Sequence, residues 1–183
     1  MKNYSIVLFF IFLSKISIAQ WQEIKEIKIP KEFENEDAVL LEKRQNIKVF
    51  NNEKVFTAGS TYKRIKILTK NGIENHNKIL FRKRDDKKKL LCRVHKPNGT
   101  IINVNSNELL EFKEVKKSNN IEFIYCAIPN LEIGDEVEII YKYRFEALPA
   151  PENIFLHDEL SCVKSIFTFT TEDGIASRIN MYN

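Results

Sequence analysis

Between Glu136 and Glu146 every second position is apolar or aromatic: Val137, Ile139, Tyr141, Tyr143 and Phe145 alternate with Glu136, Glu138, Lys142, Arg144 and Glu146, and Ile140 is the one exception. Successive side chains of a strand point to opposite faces, so this segment predicts a strand with one face on a core and the other in water. Ile121, Phe123, Tyr125 and Ala127 repeat the pattern. Val163, Phe167 and Phe169 repeat it again, with Ser165 breaking the apolar side. From Asp37 onward the dominant period is two, and helical periodicity is scarce.

The punctuation between these runs is turn chemistry. Asn71-Gly72 and Asn98-Gly99 are dipeptides that tolerate positive φ, and each lies between β-rich stretches, so each is expected to form a hairpin or tight turn. Pro97 strengthens the second. Strands are expected over 38–50, 55–69, 78–82, 89–95, 100–104, 121–128, 136–146 and 163–170. Such spacing predicts an all-β chain folded as an antiparallel β-sandwich. One short helix is expected around 107–115, where Leu109, Leu110 and Phe112 cluster.

With 183 residues, 43% of them hydrophobic and 11% aromatic, the chain has enough apolar material for one domain and too much for a disordered tail. Five Gly, five Pro and three Cys exclude collagen-like, low-complexity and disulfide-framework chains.

Residues 1–19 read as a secretory signal. Lys2 gives a short positive start, Ile6 to Leu13 is an unbroken apolar run of eight, and Ser17-Ile18-Ala19 places small residues at the −3 and −1 positions. The run is well short of the roughly 20 residues that span a bilayer, and Lys15 interrupts it, so no membrane span is expected after cleavage before Gln20. The expected location is periplasmic or extracellular. Cleavage removes Lys2 and Lys15 and no acidic residue, which takes the formal charge from +4 to +2. The one basic concentration, 82–89, is interrupted by Asp85 and Asp86 and lacks interleaved aromatics, so it reads as a solvated loop and nucleic acid is not an expected partner. Residues 20–36 form a polar lead-in in which Trp21, Ile24 and Ile27 are spaced as in one or two helical turns, ended by Pro30.

The order Cys126, His157, Asp173 is compatible with a cysteine-nucleophile triad. Activation of a thiol, however, usually needs a helix N-terminus beside a histidine. Cys92 and Cys126 fall in predicted strands, Cys162 stands directly before one, and Pro129 follows Cys126 too closely for a helix to start there. The cysteines are expected to be small buried hydrophobes; one disulfide is open to an exported chain, and an odd count leaves a thiol over. His95 and His157 lack the paired spacing of a metal site and are expected at the surface or in loops. Asp85-Asp86 and Asp135-Glu136 are adjacent carboxylates, which in a strand diverge to opposite faces. No phosphate loop, Ser-centred elbow or EF-hand loop is present, so no catalytic, metal or cofactor residue is nominated and no cofactor is expected. Tyr62 and Phe155 are the aromatics considered for ligand contact, against a base rate that favours the core.

Four stretches carry a resemblance: Asp37-Ala38-Val39-Leu40-Leu41; Tyr62-Lys63-Arg64-Ile65-Lys66-Ile67-Leu68-Thr69-Lys70-Asn71-Gly72; Lys96-Pro97-Asn98-Gly99-Thr100-Ile101; and Ile128-Pro129-Asn130-Leu131-Glu132-Ile133-Gly134-Asp135-Glu136-Val137, followed by Tyr141. Together they resemble domain of unknown function 3857, the module that precedes transglutaminase-like domains in many exported bacterial proteins. The resemblance runs from Asp37 to about Thr170, within a domain bounded as 37–183. It implies a β-sandwich that accompanies a papain-like cysteine catalytic domain without supplying the nucleophile. Gly72, Gly99 and Gly134 are read as turn glycines, and Tyr141 as lying on the apolar side of its strand.

The chain stops at Asn183, before a transglutaminase-like domain begins, and its last strands are expected to be incomplete. Two functions are therefore expected. One is a non-enzymatic exported β-sandwich that binds or scaffolds a protein, peptide or glycan. The alternative is the N-terminal part of a truncated or split transglutaminase-like cysteine protease or transferase. A transglutaminase-like catalytic domain or a cell-surface protein or glycan is the expected partner.

Overall fold

Each alternating segment forms a strand in the computed structural model, which describes residues 21, 24–52, 54–82, 90–104, 110–112, 117–118, 121–146 and 159–172. The strands are β1 (Ala38–Asn52), β2 (Lys54–Ile67), β3 (Lys78–Arg82), β4 (Leu90–His95), β5 (Ile101–Val104), β6 (Leu110–Phe112), β7 (Lys117–Ser118), β8 (Ile121–Ala127), β9 (Glu136–Phe145) and β10 (Ser165–Thr171). One sheet of six has the order β10-β1-β2-β9-β4-β5, and a second of four runs β3-β8-β6 with β7 paired to β8. The proposed signal, the basic loop over 83–89, Phe155, His157 and Asp173 lie outside the described residues.

The core lies between the two sheets. Ala38 and Leu40 of β1, Ile65 and Ile67 of β2, Cys92 and Val94 of β4, Val104 of β5 and Val137 of β9 meet Ile79 of β3 and Ile128 at the end of β8. Tyr141 packs against this cluster from the same face as Val137. In β1 the alternation slips: Leu40 pairs with Ile65 but Glu42 pairs with Arg64, so Leu41 is an extra residue in the ladder. This bulge turns the face over, so that Glu42 and Arg44 share the side of Arg64 and Tyr62.

The structure corrects four expectations. The segment at Asn71-Gly72 is a helix, α1 (Lys70–His76), and not a hairpin. Thr69 caps it by accepting the Gly72 N–H at 3.2 Å, and its hydroxyl donates to Asp37 Oδ1. The capping threonine, which sequence periodicity does not weigh, decides between turn and helix. No helix is described within 107–115; Leu110–Phe112 instead pairs with Tyr125–Ala127 at the edge of β8, because a three-residue apolar cluster fits either period and an open strand edge takes it. β10 runs parallel to β1, with Lys43 opposite Ser165 and Val49 opposite Thr171. Alternation is blind to strand direction, and the long passage between β9 and β10 is enough for a crossover. Lastly, residues 24–30 of the lead-in carry no regular structure, and Pro30 is followed by a single 3-10 turn, Lys31–Phe33.

Candidate functional site

On the side of the six-stranded sheet away from the core, three adjacent strands each carry two side chains of one kind, basic or acidic, two residues apart. β2 presents Arg64 and Lys66, β9 presents Glu138 and Glu136, and β4 presents Arg93 and His95. The register aligns Arg64 with Glu138 and Arg93, and Lys66 with Glu136 and His95, so a row of carboxylates lies between two rows of bases. Opposite charges facing each other across a ladder stabilise the pairing, and like charges would oppose it.

This face is not in water. Glu138 is only 1% exposed, and Arg64 and Arg93 are buried with it. Tyr62 Oη donates to Glu138 Oε1 at 2.5 Å, Arg93 Nε donates to Oε2, and His95 Nε2 lies 2.5 Å from the same oxygen. Burial alone would raise the Glu138 pKa. The hydrogen bonds from Arg93, Tyr62 and His95, with the Arg93 charge, outweigh it and hold the carboxyl below its ordinary value. Tyr62 is pushed the other way, above the usual tyrosine value, by burial first and then by the Glu138 carboxylate. Arg64 donates through Nε to Glu136 Oε2 at 2.8 Å, and Lys66 reaches Oε1 of the same carboxylate at 3.2 Å. At the margin, the Arg44 guanidinium stacks 4.0 Å from the Tyr62 ring centre.

The lead-in reaches over this face. Trp21 lies over Arg93, with 4.3 Å between the guanidinium carbon and the ring centre, and Arg64 Nη1 donates to the Lys25 carbonyl at 2.7 Å. The expectation that Glu136 and Glu138 face solvent is therefore corrected, as is the placing of His95 at the surface. Tyr62, considered for ligand contact, is engaged instead with Glu138 and Arg44. The signal that could have found the cluster was present: pairs at i and i+2 in three strands, basic in two of them and acidic in the third.

A second polar feature closes the 128–135 turn. Asp135 is fully buried and accepts from Lys96 Nζ at 2.9 Å and from the Glu132 N–H at 2.8 Å on one oxygen. Lys96 also donates to the Asn130 carbonyl and to Glu132. Desolvation would lower the Lys96 pKa, but the hydrogen bonds to Asp135 and Glu132 raise it above its ordinary value. Asp135 and Glu136 diverge, the first to Lys96 and the second to Arg64 and Lys66. Beside this turn, Val94, Ile102, Asn103, Val104, Pro129 and Asn130 line a small depression at the outer strand β5. Ile101, Ile102 and Ile133 are 50%, 42% and 50% exposed at the same corner, where Gly134 abuts Pro97.

Cysteine chemistry has little support in this geometry. Cys92 lies in β4 inside the core, where burial, and then the Glu138 charge, push its thiol up to about 12. Cys162 is outside any strand and forms an isolated parallel bridge to Leu40, and the side chain of Cys126 is outside the described residues. Among the described residues no three His, Cys, Asp or Glu side chains gather as metal ligands.

A family model described as a domain of unknown function with a solved structure, DUF3857, matches residues 58–183. The chain belongs to the DUF3857 family. The match begins within β2 and takes in β3 to β10, and so the Glu138 cluster, the β5 corner and α1. Among solved structures, a candidate protease from Parabacteroides distasonis is similar at 10% identity and a TM-score of 0.46, over 61% of this chain and 23% of that one. Yeast LTA4 hydrolase is similar at 16% identity and a TM-score of 0.30 in its bestatin complex, over 70% of this chain and 18% of that one. Its native form gives 13% identity and a TM-score of 0.30, over 72% and 18%. This DUF3857 chain thus spans about a quarter or less of the solved chains it matches. No curated protein matches it.

Proposed function

We propose that this DUF3857 chain is an exported, non-enzymatic recognition module that docks an extended segment of a partner protein along the outer edge of β5. The exposed isoleucine corner carries the reading. Ile101 and Ile102 lie on an end strand that has no neighbour on its outer side among the described residues, and Ile133 stands on the adjoining turn. A free strand edge offers main-chain donors and acceptors, and flanking apolar side chains give an added strand something to bury. The large apolar side chains exposed among the described residues are all isoleucines, which suits a peptide better than a sugar ring that stacks on aromatics. The protonated Cys92 thiol and the fully engaged Glu138 support a role without catalysis. A transglutaminase-like catalytic domain, the partner implied by the family resemblance, is one protein that would supply such a segment.

The test is selection of a phage-displayed random dodecapeptide library on the immobilised chain recovered from the periplasm. The recovered chain should begin at Gln20 by mass. Selected peptides should bind at least tenfold more weakly to Ile102→Lys and Ile133→Lys, both at exposed positions, with the circular dichroism of each variant matching that of the wild-type chain. Failure to enrich any sequence, or equal binding to the variants, overturns the docking role; recovery with Met1 still attached overturns export by a cleaved signal.

A further inference from the structure

The lead-in is held differently from everything beneath it. Trp21, Ile24, Ile27, Ile29 and Pro30 are only half-buried, while Lys25, Glu26 and Lys28 are exposed. No strand ladder includes residues 24–30. Among the described residues its anchors include the Trp21 ring over Arg93 and the Lys25 carbonyl on Arg64. The charged cluster below, by contrast, is complete without them: Arg93 keeps Glu138, Arg64 keeps Glu136, and Glu138 is bonded on both oxygens. Lifting the lead-in therefore leaves no buried charge without a counter-charge. This combination, with weak tenure above and a self-sufficient floor below, is what an exchangeable occupant requires and what a structural cover does not.

We infer that the charged face of β2, β9 and β4 is a second peptide-recognition groove, independent of the β5 edge, and that Trp21 and residues 24–30 sit in it as a built-in ligand. Its external partner is an extended peptide of another protein that presents an aromatic ring and, four residues later, a main-chain carbonyl. Arg93 reads the face of the ring and Arg64 reads the carbonyl. An intramolecular occupant benefits from a high effective concentration, so the groove stays closed until a competitor of better fit or high local concentration arrives.

A labelled peptide of the sequence from Trp21 to Pro30, added to full-length Trp21→Ala, tests this by fluorescence anisotropy. Saturable binding is expected, at least tenfold weaker for the same peptide with alanine in place of its tryptophan, and at least tenfold weaker on the wild-type chain, whose own lead-in competes. Changing the peptide leaves the protein's fold untouched. Trp21→Phe, which keeps a smaller ring over Arg93, serves as receptor if the alanine variant does not fold. Absence of binding, indifference to the peptide's tryptophan, or equal affinity for the wild-type chain overturns the groove. Sedimentation of the wild-type chain should give a monomer; a dimer exchanging lead-ins between two copies overturns the assignment to a different protein.

Discussion

Glu138 concentrates the electrostatics of the molecule in one carboxylate. It has Tyr62 on one oxygen and Arg93 and His95 on the other, in a position 1% exposed. Two charges taken out of water are costly, and removing one partner is costlier still, because the other is left buried alone. Glu138→Gln keeps the shape and removes the buried charge that faces Arg93, so near neutral pH the variant is expected to be less stable by about 3 kcal/mol in urea unfolding. The pH dependence follows from the depressed pKa. A carboxyl titrating lower in the folded than in the unfolded chain adds stability above its unfolded value, and that stability is lost as pH falls through the folded one. The gap between wild type and variant should therefore be fully open above about pH 5 and narrow below 4.5, the ordinary value of the group. A gap that stays constant down to pH 3 would mean that the carboxylate's charge is not what stabilises the site.

At the scale of elements, α1 separates propensity from fit. Thr69 caps the helix, and its replacement by alanine is expected to cost about 1 kcal/mol. Gly72 lies inside the same helix, where intrinsic propensity favours alanine by about 1 kcal/mol. A Cβ at Gly72, however, would collide with the Asp37 carbonyl oxygen, which is backbone and cannot swing away. Gly72→Ala is therefore expected to destabilise, by about 1–3 kcal/mol as other overpacked sites do, despite the better helix former. A stabilised variant in thermal unfolding would refute the close approach. The same element shows what was legible in the sequence. The period-two runs place β3 at its observed bounds and the other strands within a few residues, except β6 and β7, which no run announced, because each run buries one face and each face has its own spacing. The reading of Gly99 and Gly134 as turn glycines is borne out by their φ of 85° and 93°, whereas Gly72 is needed for space and not for a turn. The direction of β10, the helix at Lys70–His76 and the cover over Glu138 all depend on contacts between distant segments, which no local period encodes. The two rows of bases around a row of acids were readable in principle, once strand order was known.

The molecule as a whole is a graded structure. β1 and β2 pair along almost their whole length, β9 joins them, and their inner faces close the core. The lead-in shares none of these ladders and has no fully buried side chain among its described residues. Local opening follows the density of buried contacts and ladder bonds, so the lead-in should detach at a lower denaturant concentration than the sheets. Nature has placed the reporter well, because Trp21 is the sole tryptophan of the chain. Its fluorescence should change in urea before the far-ultraviolet circular dichroism of the sheets does, giving two separated transitions in which the first has the smaller m-value, since less surface is exposed. Arg93→Gln removes the cation beneath the ring and also takes the arginine from buried Glu138, so both transitions should move toward low denaturant. Coincident transitions in the wild-type chain would join the lead-in to the cooperative core, and the groove would then be a permanent part of the fold with no exchangeable occupant.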